Sequence, residues 1–364
     1  MTEGSFDSIL LRPGEPESVE TRIWIGPGLL EQSGRLLFSA SGRFLLVSPP
    51  AAKVPADAVR LALGGRLLAD IALDDREEAK SMQTVLRIAD QALSAGLRRD
   101  DAFVAVGGGV TCDVAGFAAA ILLRGVAWNA VPTTTGAMAD ASIGGKTGVD
   151  HAAGKNLLGS FHAPRVVLID PRAAATLPDR DFRAGLVEAF KAAWIADAPL
   201  AERAGGGISR ILAREEAPLL DLLAGAARVK ASIVASDPRE SGRRRLLNFG
   251  HTLGHALEAA GGYRDLRHGE AVAWGILAAL EISRRRSGLA APEAASIREV
   301  LRRLGPFPEP SRDPASLTPY LQRDKKATTE GIAAVLLEAV GRARVEASVP
   351  AAEWLAAAAI MSLT

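Results

Sequence analysis

Residues 103–106, Phe-Val-Ala-Val, run without a break into Gly107-Gly108-Gly109-Val110. A short, wholly apolar strand has no polar face to give to water. It therefore fits a parallel sheet covered on both sides by helices. The glycines allow a tight turn, and a helix beginning there offers its N-terminus to an anion. That string is not the GxGxxG fingerprint, so it reads either as a plain tight turn or as a turn shaped around a phosphate. Further strand candidates lie at 44–47, 126–131 and 166–169, and residues 77–97 carry apolar side chains at helical spacing. Strands alternating with helices predict an α/β domain with a parallel sheet.

After Pro171 the pattern changes. Residues 181–196, 217–235, 250–260, 270–285 and 292–304 all read as helices. A late strand is expected at 332–337 and a closing helix at 351–361. The boundary falls near Leu177-Pro178, giving an α/β domain over 1–177 and a helical domain over 178–364. Open α/β sheets bind ligands at the carboxyl ends of their strands, so the expected site is a cleft beside the second domain.

Charge and cysteine content narrow the function. There are 43 Lys and Arg against 42 Asp and Glu, a net charge of +1, with 48% hydrophobic and 23% charged residues. This excludes a disordered chain and argues against a nucleic-acid binder that works by bulk positive charge. Cys112 is the single cysteine, so neither an internal disulfide nor a cysteine zinc site can form. The first twenty residues lack the layout of a signal peptide, and no apolar run reaches the length of a membrane span. A cytoplasmic protein with no membrane partner is expected.

Five histidines are present, three of them close together: His251, His255 and His268. The first two are four apart, which puts both imidazoles on one face of a helix. Such a cluster suits a divalent metal with nitrogen and oxygen ligands. Glu188, in an apolar helix beside Lys191, is a candidate carboxylate ligand; its other reading is an i,i+3 salt bridge on a solvated face. Asp113 is expected in the first turn after the glycines, serving either the helix dipole or a ligand hydroxyl. Arg124, Lys146, Lys155, Lys191, Lys230, Arg244 and Lys325 stand in apolar or glycine-rich contexts. Lys146 and the Lys155-Asn156 pair are expected in loops where donors converge on an anion. Cations around a metal imply a substrate with phosphate and carboxylate groups.

Seven strings occur in order: GGGVTCDVAGFAAAILLRG, VPTT, DASIGGKTGVD, GKNLLGSF, GLVEAFK, NFGHTLGHALE and HGEAVAWGI. Together they closely resemble the 3-dehydroquinate synthases of the sugar phosphate cyclase group, from about residue 77 to 275, with a weaker echo at Asp324-Lys325-Lys326. The resemblance implies a Rossmann-like NAD-binding domain followed by an all-helical metal and substrate domain. It implies NAD contacts at Gly108, Gly109, Val110, Asp113, Thr133 and Thr134, and at the stretch from Glu77 to Lys80. A zinc or cobalt ion would be held by Glu188, His251 and His268, with His255 on the substrate. Lys146, Lys191, Arg244, Asn248 and His255 would serve catalysis. Arg124, Asp140, Lys155, Asn156, Lys230 and Lys325 would grip the substrate.

The implied reaction is that of a lyase in the shikimate pathway of aromatic amino acid biosynthesis. It turns 3-deoxy-arabino-heptulosonate 7-phosphate into 3-dehydroquinate and phosphate. The steps are transient NAD oxidation, phosphate elimination, re-reduction and an intramolecular aldol closure. A homodimer is the family's expectation. Relatives acting on sedoheptulose 7-phosphate vary the GGKTG and NFGHTxGH segments, which this chain keeps. A non-catalytic NAD-binding relative would show a lost ligand or cation, and none is lost. One departure stands at Val47-Ser48-Pro49-Pro50, where the family places an acid or Asn for the adenosine ribose.

Overall fold

In the computed structural model, residues 6–14, 19–311, 313–322, 327–328 and 331–362 are described. Lys325 and its neighbours Asp324 and Lys326 lie outside them. The described chain divides into two units, one of residues 1–177 with 230–239, the other of 178–229 with 240–364.

The first unit is built on nine strands: β1 (Asp7–Leu11), β2 (Thr21–Ile25), β3 (Phe44–Ser48), β4 (Leu67–Ala72), β5 (Ala102–Gly107), β6 (Ala127–Pro132), β7 (Lys146–His151), β8 (Gly154–Phe161) and β9 (Val166–Ile169). Seven form one sheet in the order β1-β2-β9-β6-β5-β3-β4. All its pairings are parallel except that of the edge strand β1 with β2. Every residue of β3, β5 and β9 is buried, as a two-faced apolar run requires. Helices α1 (Ser33–Leu36), α2 (Lys53–Leu63), α3 (Met82–Ser94) and α4 (Gly109–Ile121) connect the strands. The helical stretch expected at 77–97 is broken: Glu77–Ala79 is a separate 3-10 turn, and Ser81 caps α3 by accepting from the Thr84 N–H.

Three strands went unread. β1 and β4 have largely exposed or half-buried patterns without a clean alternation, whereas β2, with buried Thr21, Ile23 and Ile25 alternating with Arg22 and Trp24, carried a period-2 signal that was readable. The expected loops at Lys146 and Lys155-Asn156 are a correction as well, for they form the antiparallel hairpin β7–β8. Glycine content argued for loops, but Gly148 and Gly159 face each other within the hairpin, where a Cβ on Gly148 would come 2.6 Å from the Leu158 carbonyl oxygen. The glycines there are for close strand approach, not for a turn.

The second unit is helical: α5 (Asp179–Ala196), α6 (Ala198–Gly206), α7 (Ile208–Leu212), most of α8 (Glu216–Ser236), α9 (His251–Ala260), α10 (His268–Arg286), α11 (Ala291–Leu304), α12 (Pro314–Gln322) and α13 (Ala351–Ile360). An all-helical domain was expected, and the unit adds a small antiparallel sheet of β10 (Ala327–Thr328), β11 (Gly331–Ala339) and β12 (Arg342–Val349). The late strand candidate lies inside β11. Its partner β12 alternates Arg and Glu with small residues, so it carries little apolar signal.

Helices α5, α9 and α10 approach one another through glycine. A Cβ on Gly269 would overlap the Ala184 carbonyl, and one on Gly275 would overlap the Gly250 carbonyl. Gly250 caps α9 in the left-handed region, at φ +80°, and a Cβ there would sit 2.5 Å from Ile276 Cγ1. Gly275→Ala should therefore destabilise the protein by about 1–3 kcal/mol or more, the cost of overpacking a full core. Gly206→Ala, at the open end of α6 with nothing within 4 Å, should be neutral or stabilising by up to about 1 kcal/mol. Urea unfolding of the two variants checks this, and equal midpoints would refute it.

Candidate active site

The site residues of the second unit converge at helix starts. His251 is the first residue of α9 and His268 the first of α10, while Glu188 projects from the middle of α5. The start of α10 is fixed by Glu270. Its carboxylate accepts from the Arg267 N–H at 2.7 Å and takes Arg180 at 2.6 and 2.8 Å. Arg267 in turn reaches Asp181 at 2.8 Å. These bonds anchor the turn that presents His268.

Glu188, His251 and His268 each bring one ligand atom, all within 4.8 Å of one another. Glu188 Oε1 lies 3.8 Å from His251 Nε2 and 3.6 Å from His268 Nε2. The i,i+3 ion pair with Lys191 does exist, but on Glu188 Oε2 and in the interior, not on a solvated face. Glu188 Oε1 is buried and has no hydrogen-bond partner. A buried carboxylate oxygen left in this way is costly unless something else binds it. Zinc with such ligands has bonds of about 2.0–2.2 Å, which sets tetrahedral ligand atoms roughly 3.4 Å apart. Glu188 Oε1 need close on each nitrogen by only a few tenths of an ångström, so the residues fit a divalent metal.

Both imidazoles are oriented from behind. His251 Nδ1 lies 3.1 Å from the Phe249 carbonyl, which can only accept, so the proton belongs on Nδ1 and the Nε2 lone pair faces Glu188. His268 Nδ1 lies 3.2 Å from Glu258 Oε2. His255 is exposed, with its ring 5.2 Å from that of His251 and 5.9 Å from that of His268, as the one-face spacing predicts. Burial, followed by the charge of Lys191, pushes the His251 pKa well below its usual value, so this ring is neutral. Desolvation by the surrounding helices works against the His268 charge although half its side chain faces solvent, but the Glu258 carboxylate and then Glu188 outweigh it and raise the pKa to about 9. Among the other expected residues of this unit, Arg244 is buried and Asn248 donates to Glu240 at 2.7 Å.

In the first unit, Gly108 is the N-cap of α4 at the carboxyl end of β5, followed by Gly109 and Val110. The Thr133 N–H donates to the Gly107 carbonyl at 2.9 Å, and Thr134 Oγ1 accepts from the Ala137 N–H at 3.2 Å. The three glycines differ. A Cβ on Gly107 would overlap Thr111, and one on Gly108 would press Thr134 at 3.1 Å, but one on Gly109 meets only Ala141 at an ordinary 3.5 Å. Ser48 ends β3, and Pro50 opens a 3-10 turn beyond it.

Asp113 stands in the second turn of α4, not the first, and pairs with Lys80 at 2.6 Å instead of serving the helix dipole. Burial works against the Lys80 charge, but Asp113 outweighs it and raises the ammonium pKa. Glu77 pairs with Lys155 at 2.8 Å, the Asn156 N–H donates to Asp150 at 2.8 Å, and the Asp150 N–H donates to the Lys80 carbonyl at 2.9 Å. Lys230 binds Asp140 at 2.6 Å.

Two expected members stand apart from this group. Lys146 opens β7 opposite Phe161, at the far end of the hairpin from Lys155 and Asn156, roughly 15 Å along the strand. Arg124 follows α4, at the amino end of β6, one helix length from the glycine turn, about 20 Å. Spacing in sequence could not show either separation.

Glu258, Glu240, Asp150 and Glu270 were not singled out from the sequence. Glu258 had a readable signal, since 251, 255 and 258 share one face of a helix. The partners of the other three are fixed only in the fold.

The N-terminal family profile of 3-dehydroquinate synthase matches residues 70–184, and the C-terminal profile matches 185–327. A 3-dehydroquinate synthase of Nitrosospira multiformis is 41% identical over 293 residues, 80% of each chain. One of Nitrosomonas europaea is 38% identical over 92% of each. Two solved cyclases share the fold. A 2-epi-5-epi-valiolone synthase from Streptomyces hygroscopicus, with NAD+ and Zn2+ bound, has TM-score 0.84 and 29% identity, over 94% of this chain and 96% of that one. A 2-deoxy-scyllo-inosose synthase, complexed with carbaglucose-6-phosphate, NAD+ and Co2+, has TM-score 0.79 and 27% identity, over 93% and 94%.

The proton on His268 must leave before a metal can bind. Zinc binding at pH 7.5 should release about one proton, and affinity should rise about tenfold per pH unit until pH 9, then level off. Calorimetry in buffers of different ionisation enthalpy measures the release, and its absence would refute the raised pKa.

Proposed function

The chain belongs to the 3-dehydroquinate synthase family, and on that premise we propose how its residues divide the family's reaction. The protein is a carbon–oxygen lyase that turns 3-deoxy-arabino-heptulosonate 7-phosphate into 3-dehydroquinate and phosphate. Its cofactors are NAD and a divalent metal. Relatives named 3-dehydroquinate synthase are 38–43% identical, against 24–29% for the solved cyclases of other names. The observation that carries the site is the partnerless Glu188 Oε1 between two imidazole nitrogens.

When bound, NAD supplies reversible oxidation of one substrate hydroxyl, and the metal polarises that oxygen. Glu188, His251 and His268 hold the metal. Lys191 neutralises the outer oxygen of Glu188, which leaves Oε1 for the ion. Gly108, Gly109 and Val110 receive the pyrophosphate, whose charge the start of α4 favours. The Lys80–Asp113 pair ties the Glu77–Lys80 turn to α4 beside it. Thr133 and Thr134 hold the neighbouring loop in place. His255, exposed beside the two ligands, faces the substrate. Lys155, Asn156, Lys230, Arg244, Asn248, Asp140 and Lys325 supply its phosphate, carboxylate and hydroxyl contacts. Lys146, about 15 Å from Lys155, and Arg124, about 20 Å from the glycine turn, are assigned to the substrate by the resemblance alone. Charge-assisted bonds to developing anions act best in a shielded site.

The division into an NAD domain over 1–177 and a metal and substrate domain over 178–364 belongs to this reading, with residues 230–239 serving the first. So do a homodimer and a cytoplasmic location. Among the described residues no helix is long and apolar enough to cross a membrane.

The purified protein should release phosphate from the heptulosonate phosphate with NAD and zinc or cobalt, with 3-dehydroquinate seen by NMR. Chelation should stop it and metal restore it. No release, with turnover of sedoheptulose 7-phosphate instead, would move the protein to another cyclase activity. Lys146→Ala should lower kcat/KM about 10–100-fold, the loss of one charge-assisted contact, while zinc binding is unchanged. An unchanged kcat/KM would remove Lys146 from the substrate grip.

A further inference from the structure

Of the two histidines of the metal set, His268 has the less secure seat. Its side chain is 48% exposed, against 9% for His251. It stands at the first position of α10, where no preceding helical turn packs against it. An imidazole can turn about its outer side-chain bond and offer either nitrogen. Something must choose between them.

We propose that Glu258 makes this choice as a positioning residue for the metal. Its carboxylate takes the Nδ1 side of His268, which points Nε2 toward Glu188. The carboxylate is 4% exposed, with Oε2 at hydrogen-bond distance, 3.2 Å, from Nδ1. Glu258 lies seven residues after His251 on α9, two turns along one face. The helix that supplies one ligand therefore also orients the other, from a buried helical position instead of from a loop. For His251 the same task falls to a neutral carbonyl, at Phe249. A carboxylate does more than orient. It strengthens the imidazole as a ligand, and loss of such partners typically weakens metal binding by 10–100-fold.

A rival arrangement uses the same atoms. His255, Glu258 and His268 also bring ligand atoms within 4.8 Å of one another. His268 Nδ1 cannot both donate to Glu258 and bind a second ion, so the two arrangements predict different stoichiometries.

This inference rests on Glu188, His251 and His268 as the ligands, and the test separates the two. Zinc affinity of the full-length apoprotein is measured without substrate, by competition with a chromophoric chelator. Wild type should bind one zinc. His251→Ala should lose it; zinc binding unchanged in that variant would sink the ligand assignment itself. Glu258→Gln should bind 10–100-fold more weakly, with the thermal midpoint of the apoprotein near wild type. Glu258→Asp should fall between. Wild-type affinity in Glu258→Gln overturns the proposal. So does a second zinc in wild type that Glu258→Gln loses, since Glu258 would then be a ligand. Should the variants not fold, nitrogen-15 NMR of histidine-labelled, zinc-loaded wild type decides. A protonated Nδ1 and metallated Nε2 on His268 are expected, and a metallated Nδ1 overturns the proposal.

Discussion

Contact between helix backbones, with no side chain between them, underlies the metal-type site. Helices separated by ordinary side chains pack 8–10 Å apart. Here the α10 backbone meets α5 at Gly269 against Ala184, and meets α9 at Gly275 against Gly250. Ala184 and Glu188 are four apart on α5 and so share a face. The contact that seats Gly269 thus also delivers Glu188 to the histidine next to it. Without these contacts the short reach of Glu and His side chains from three separate helices would not bring their ligand atoms together.

The electrostatics follow from that crowding. Glu188 is buried with one cation, Lys191, on one of its two oxygens. Burying a charge is tolerable only where it is paired, and this pairing is half complete. The same burial holds His251 neutral while two carboxylates hold a proton on His268. The cluster is thus asymmetric: one imidazole is neutral, and the other holds its proton beside two carboxylates.

Much of this was legible in the sequence, for physical reasons that differ by element. Strands buried on both faces, such as β5 and β9, announce themselves as unbroken apolar runs. Helices α5, α8, α9, α10 and α11 were placed to within about two residues, because long periodic segments carry strong signals. The edge strands β1 and β4 were not readable, since an edge is under no pressure to be apolar. The histidine pair was legible from one helical period. The position of Lys146 relative to Lys155 was not, because only strand pairing sets it, and glycine in a hairpin looks like glycine in a loop. Glu188 was legible as a candidate, but its burial was not: the i,i+3 lysine fits a surface pair equally well until the other helices arrive.

Glycine itself separates packing from ligand binding in this chain. Gly250, Gly269 and Gly275 are required by the protein's own atoms, and Gly107 by Thr111 beside it. Their absence of a side chain explains the fold and says nothing about a ligand. Gly109 differs. It is the first residue of α4, its backbone is helical, and a Cβ there would make only an ordinary contact. Neither conformation nor packing demands glycine at that point, and in a helix glycine costs about 1 kcal/mol relative to alanine. Open space alone does not mark a ligand, since Gly206 at the end of α6 has nothing within 4 Å; Gly109 differs from it in standing at a helix start. At the start of a helix, where N–H groups await an acceptor, the missing side chain leaves the backbone open to an anion. The proposed NAD pyrophosphate is such an anion.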